Sequence, residues 1–152
     1  MKYYTFAWWA GEVEDETVVS RYWAYLDGVK AQLPEAVRAF AYEHNLHDAL
    51  LLKMHVNPTA RTVQCEYDGW DRTSYYPRRY TLVYTDVEAL ETGGNPARPL
   101  GGPGGFGHMG YAEFECLADG LIEHRLLFST GIELTLRFRG LTFEYEEVGE
   151  DG

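Results

Sequence analysis

His44, His47, Asp48 and His55 bring imidazoles and a carboxylate together in one short stretch of the chain. Nitrogen and oxygen donors of this kind bind divalent metals, and a metal-bound water is a hydrolytic nucleophile near neutral pH. One reading is therefore a metal-assisted hydrolase built on His44, His47 and Asp48, with His124 as a distant addition. The local pattern argues against it. Hydrolases that use such a His-Asp pair hold it in an all-helical bundle, whereas here His47 and Asp48 open a strand, and alternation turns His55 away from the core side of Met54. A structural role for His47 and Asp48 at a helix-to-strand corner accounts for the same residues.

Other chemistry is excluded more simply. The glycine-rich stretch TGGNPARPLGGPGGFGHMG has no GxxxxGK followed by Ser or Thr, and no GxGxxG between a strand and a helix, so it offers no phosphate cradle. Cys65 and Cys116 stand alone, without a CxxC partner or a GxSxG-type nucleophile elsewhere, and read as buried small apolar residues. His124 falls between apolar neighbours and reads as a satisfied core histidine. No catalytic residue, metal ligand or cofactor site is assigned, and the chain is expected not to be an enzyme. The segment YDGWDRTSYYPRRY interleaves aromatic and guanidinium side chains in an apparent loop. Trp, Tyr and Arg anchor protein interfaces, which makes Trp70, Tyr75, Tyr76, Arg78 and Arg79 the candidate partner-binding residues, although they can equally fold back over a sheet edge.

The elements that must position these residues follow from periodicity. Val18, Val19, Tyr22, Trp23, Leu26, Val29 and Leu33 recur at helical spacing and predict a helix over about 15–32. Pro34 opens a second, which Ala36, Val37, Phe40 and Ala41 continue to about Asn45. The form of the aromatic opening MKYYTFAWW stays open. Strands then follow in series. A first hairpin sets Met54 opposite Val63, Leu52 opposite Cys65 and Leu50 opposite Tyr67. The loops Ala118-Asp119-Gly120 and Ser129-Thr130-Gly131, each with Gly third, align Cys116 with Ile122, Phe114 with His124, His124 with Leu136 and Leu126 with Leu134. A tight turn at Arg139-Gly140 continues the series with Phe138 facing Leu141 and Leu136 facing Phe143. The expected architecture is α+β: two N-terminal helices packed on an antiparallel sheet of about seven strands, ending in a four-stranded meander over about 111–146. A further strand at about 79–87 has an ambiguous face, since Tyr80, Leu82 and Tyr84 compete with Val83 and Val87. The opposite face of the meander carries Glu113, Glu115, Glu123, Arg125, Glu133, Thr135, Arg137 and Glu144, and is expected to meet solvent or a partner. Residues 1–152 read as one domain with a mobile Gly/Pro-rich loop at 92–110.

Composition limits the partners. The chain has 152 residues, 24 acidic against 13 basic, and a net charge of -11. Nine of the negatives lie in two runs, at 12–16 and 144–151, without interleaved Lys or Arg. Nucleic acid is excluded as a direct partner, because neutralising phosphates needs a basic stripe. A basic protein would be steered inward. No run approaches the roughly 18 apolar residues of a membrane span, and the opening lacks the layout of a signal peptide, so a cytoplasmic location is expected.

The corner LHDALLLKMHV, the strand YTLVYTDVEAL and the closing GYAEFECL with EHRLLFSTGIELTLRFRGLTFEY resemble a group of small bacterial proteins with a His-Asp-Ala strand opening and a terminal hairpin of similar pattern. Some of that group are immunity proteins of polymorphic toxin systems. The resemblance covers about residues 46–146, and the long Gly-Pro loop departs from it. It implies a non-enzymatic protein-binding domain that neutralises a bacterial toxin and no catalytic residues; together with the acidic charge, the expected partner is a basic toxin.

Overall fold

In the computed structural model, which describes residues 1–94 and 105–149, the molecule is α+β, with helices leading into two four-stranded antiparallel sheets. A single turn, α1 (Phe6–Trp9), is capped by Thr5, whose hydroxyl accepts the amide of Trp8. Helix α2 (Val18–Val29) runs on through a 3-10 turn to Gln32, and α3 (Glu35–Glu43) follows Pro34. The periodicity located both longer helices; α1 is additional. On α2 the buried stripe is Val18, Tyr22 and Leu26, while Val19 and Trp23 remain exposed.

The first sheet has the order β1 (Leu50–Asn57), β2 (Thr62–Trp70), β3 (Pro77–Thr85), β8 (Gly140–Glu147). The second has the order β4 (Ala89–Gly93), β7 (Glu133–Phe138), β6 (Ile122–Phe128), β5 (Met109–Cys116). The expected single sheet of seven strands is thus eight strands in two sheets, and the four-stranded meander is three-stranded. Its β5–β6 and β6–β7 registers are those expected: Phe114 faces His124, Leu126 faces Leu134 and His124 faces Leu136. The break comes at Arg139. The chain does not fold back on β7 there but steps into the other sheet, where Leu141 pairs with Tyr84 and Phe143 with Leu82. The β3–β4 connection makes the same step beside it, and the amides of Arg139 and Glu88 donate to Thr85 and Arg137 across the corner. At Gly140 an added Cβ would press on the Thr85 hydroxyl, which would have to turn away to make room.

On β3 the ambiguity resolves with Tyr80, Leu82 and Tyr84 inward, all fully buried. On β1 the register differs from the expected one, by two residues where Met54 faces Cys65 and Val56 faces Val63, and by one before the bulge between Leu51 and Lys53, where Leu51 rather than Leu50 faces Tyr67. As an edge strand that no described element covers, β1 leaves Leu50, Leu52, Met54 and Val56 exposed. Of the expected mobile loop, residues 95–104 lie outside the described residues; the part that follows is anchored, with Phe106 packed on Phe128 and its carbonyl accepting the Thr130 hydroxyl at 2.7 Å. One continuous core joins both sheets to α2 and α3. No helix among the described residues is long and apolar enough to cross a membrane.

The charged face of β5–β6–β7 is not left to water. Glu113 is fully buried, and Glu123 and Arg125 nearly so. The N-terminal segment lies over them: the carboxylate of Glu113 accepts the amides of Lys2, Tyr3 and Tyr4 and the Nε of Arg125. Arg125 also reaches Glu115 and Glu123, and Arg137 closes on Glu123 at 2.6 Å. The aromatic opening of the chain is thus a strap fastened across a buried ion network.

Candidate functional site

The β2–β3 connection carries the aromatic tip, and Asp71 builds it. Its carboxylate accepts the Thr73 hydroxyl at 2.6 Å and the amides of Tyr75 and Tyr76 at 3.0 and 3.1 Å, while its own amide donates to the Tyr76 carbonyl. These bonds favour the ionised carboxylate, with the Thr73 hydroxyl the largest cause, and bring its pKa down to about 2. The loop is therefore fixed, yet its aromatic side chains face outward: Tyr75 is 80% exposed, Tyr76 63% and Trp70 39%. They do not fold back over a sheet edge.

Arg78 and Arg79 alternate to opposite faces of β3 and are already engaged. Arg79 pairs with Asp68 at 2.8 Å, and Arg78 lies over the Tyr145 ring and within 3.5 Å of Glu147. Both border a surface groove of about 680 Å³ at the end of the sheet, together with Trp70, Pro77, Leu50 and His108. The structure thus joins Trp70, Arg78 and Arg79 in one groove and places Tyr75 and Tyr76 on the neighbouring tip. The outer face of this sheet continues from Trp70 through two cross-strand rows, Asp68–Arg79–Glu146 and Glu66–Thr81–Glu144. Among the described residues Glu144 and Glu146 make no ion pair, so this face carries excess negative charge.

Of the residues of the hydrolase alternative, His44, His47 and His124 border one concavity and Nε2 of His47 lies 3.7 Å from Asp48, while His55 lies apart from them. His44 packs among Phe40, Tyr80, Phe143 and Tyr145, and burial lowers its pKa, with the Arg78 charge adding to the effect. His47 binds the Gly110 carbonyl through Nδ1, and His55 faces solvent opposite Gln64. Among the described residues no group of three or more His, Cys, Asp or Glu side chains is placed to hold a metal. The corner before β1 is held by Asn45, which accepts the His47 amide, and by Asp48, whose left-handed backbone (φ 63°) makes the turn.

A second concavity, of about 470 Å³, lies between α2, α3 and the edge of β5. Its walls are aromatic, from Tyr4, Trp23, Tyr42 and Tyr111, with Phe114 and His124 at the floor. His124 is fully buried and stacked on Phe114 at 3.9 Å; Nδ1 meets the Tyr84 hydroxyl at 2.8 Å, but Nε2 has no hydrogen-bond partner among the described residues. The expected satisfied core histidine is therefore only half satisfied. Burial, helped by the neighbouring Arg125 charge, lowers its pKa to about 3 and keeps the ring neutral. The sequence placed His124 on the inward face correctly, but the cavity around it depends on Tyr4, Tyr42 and Tyr111, which only the tertiary fold brings together.

Compared with protein-family models, curated proteins and solved structures, the chain matches none.

Proposed function

We propose that the protein is a non-enzymatic binding domain that docks a basic protein through the β2–β3 tip and the adjoining acidic outer face of the first sheet. The observation that carries this is the tip itself. Exposing two tyrosines and a tryptophan on a loop locked by Asp71 costs burial and brings the core nothing, whereas pre-ordered aromatic side chains are what an interface needs to limit its entropy cost. Charge gives the partner its sign: carboxylates of Glu66, Asp68, Glu144 and Glu146 flank the anchors, outnumbering Lys53 and Arg79. The most concrete form of the partner is a bacterial toxin, with this chain as the immunity protein that occludes it.

The test is co-expression with the toxin encoded beside its gene. Survival of the host and a stable complex are expected, and both are lost when Trp70, Tyr75 and Tyr76 are replaced together by Ala in a protein that still folds. No toxin gene alongside, no protection, or protection that survives the triple replacement contradicts the proposal.

A further inference from the structure

The cavity between α2, α3 and β5 is separate from the proposed docking face and has features of its own to explain. Among the described residues its lining contains no Asp or Glu, although the chain has 24 acidic residues. One strong cation, Arg72, reaches its rim and makes no ion pair among the described residues. At the other end, the Tyr84 hydroxyl lies 2.8 Å from Nδ1 of His124 and has no other acceptor among the described residues, so we assign its proton to that bond, which places the proton of the neutral ring on Nε2. The two ring nitrogens point in nearly opposite directions. Tyr84 does not line the cavity and the imidazole does, so the free Nε2–H is the donor on the cavity side. A buried donor without an acceptor is costly, and such groups persist where a ligand or water completes them.

We propose that this cavity binds a planar aromatic carboxylate of one or two rings, its ring held between the Tyr4–Tyr111 and Trp23–Tyr42 walls, its carboxylate on Arg72 and an acceptor atom on Nε2 of His124. The volume is that of a small-molecule site. Flat rings satisfy aromatic walls through offset or edge contacts, and a guanidinium pairs with a carboxylate in two parallel hydrogen bonds. Since the histidine stays neutral through the ordinary pH range, it acts as a hydrogen-bond donor and leaves the charge to Arg72.

The test uses quinoline-6-carboxylate as probe, whose ring nitrogen is an acceptor at the end opposite the carboxylate, with quinoline lacking the carboxylate and cyclohexanecarboxylate lacking the flat ring, each titrated calorimetrically into the full chain. Quinoline-6-carboxylate is expected to bind with a Kd below about 100 μM, and the two comparators at least tenfold more weakly. Arg72→Met, an exposed change that leaves the fold intact, lowers affinity for quinoline-6-carboxylate at least tenfold and leaves quinoline unaffected. Ala41→Trp, which fills the cavity, removes binding of both. Nitrogen NMR of the imidazoles shows Nε2 of His124 shifting on saturation. No binding at millimolar probe, equal affinity for Arg72→Met, or an unmoved His124 resonance overturns the proposal and leaves water as the occupant.

Discussion

The hydroxyl of Tyr22 accepts the backbone amide of Phe114 at 2.7 Å, inside the protein and across 92 positions of sequence. Two residues on, the hydroxyl of Tyr25 accepts the amide of Cys116 at 2.8 Å. Strand β5 is the edge of its sheet, and α2 supplies from tyrosine side chains the acceptors that another strand would have offered. Tyr22→Phe should therefore cost about 1–3 kcal/mol, because the Phe114 amide stays buried without a partner. Tyr25→Phe should cost less, since the Cys116 amide is only partly buried and water can replace the hydroxyl. Urea denaturation of both variants checks the ordering.

Glu113 fastens the strap. It accepts three consecutive backbone amides and faces Arg125 at 2.8 Å, all inside the protein. Glu113→Ala should destabilise the fold by about 3–5 kcal/mol and release residues 1–4, seen as faster hydrogen exchange at Tyr3 and Tyr4. The paired replacement Glu113→Leu with Arg125→Met should cost more than Glu113→Ala alone, because Arg125 also pairs with Glu115 and the nearly buried Glu123, which then lose that partner.

Burial lowers the pKa of His124 to about 3 and also lowers that of His44. A depressed folded-state value means that the unfolded chain takes up the proton first. The contribution is whole above about pH 6.5 and is lost progressively as pH falls toward the folded value. Stability should fall from pH 6.5 to pH 5 with a slope approaching about 1.4 kcal/mol per pH unit for His124. His124→Asn should flatten that slope, leaving the smaller part due to His44. Denaturation midpoints across this range provide the measurement.

Asp71 behaves in the same sense at lower pH. Its carboxylate sits at about 2, below its unfolded value of about 3.9, so its hold on the tip is complete above pH 4 and disappears as pH falls through about 2. Asp71→Ala should remove that hold at neutral pH. The amides of Tyr75 and Tyr76 should then exchange faster while the core strands stay protected, and partner affinity should drop although no anchor side chain has changed.

Much of the second sheet was legible because glycine at the third loop position fixes β5–β6–β7 and every inward residue then falls into line; Gly120 and Gly131 do take positive φ. The step at Arg139 was hidden for a physical reason. Both sheets face one core, so Leu134, Leu136, Phe138, Leu141 and Phe143 alternate in the same way whether the chain turns back or crosses over. From Lys53 to Asn57 the slip on β1 is two residues and keeps each side chain on its face, a shift that alternation cannot detect, whereas the bulge before it exchanges Leu51 for Leu50 opposite Tyr67. Nor does a row containing Glu113, Glu123 and Arg125 reveal whether water or another segment will cover it; the covering strap comes from more than 100 residues away. The tip was found from residue type alone, since Trp70, Tyr75 and Tyr76 had little local apolar pattern to join. The histidine cavity was missed because its walls come from the N-terminal strap, α2, α3 and β5.

Hydrogen exchange of the protein alone and saturated with the proposed basic protein partner tests the central claim most directly. Binding through the tip predicts slowed exchange at residues 70–79 and along Glu144–Glu147, with α2 and α3 unchanged. Slowing confined to the helices, or none at all in a complex that forms, would contradict it.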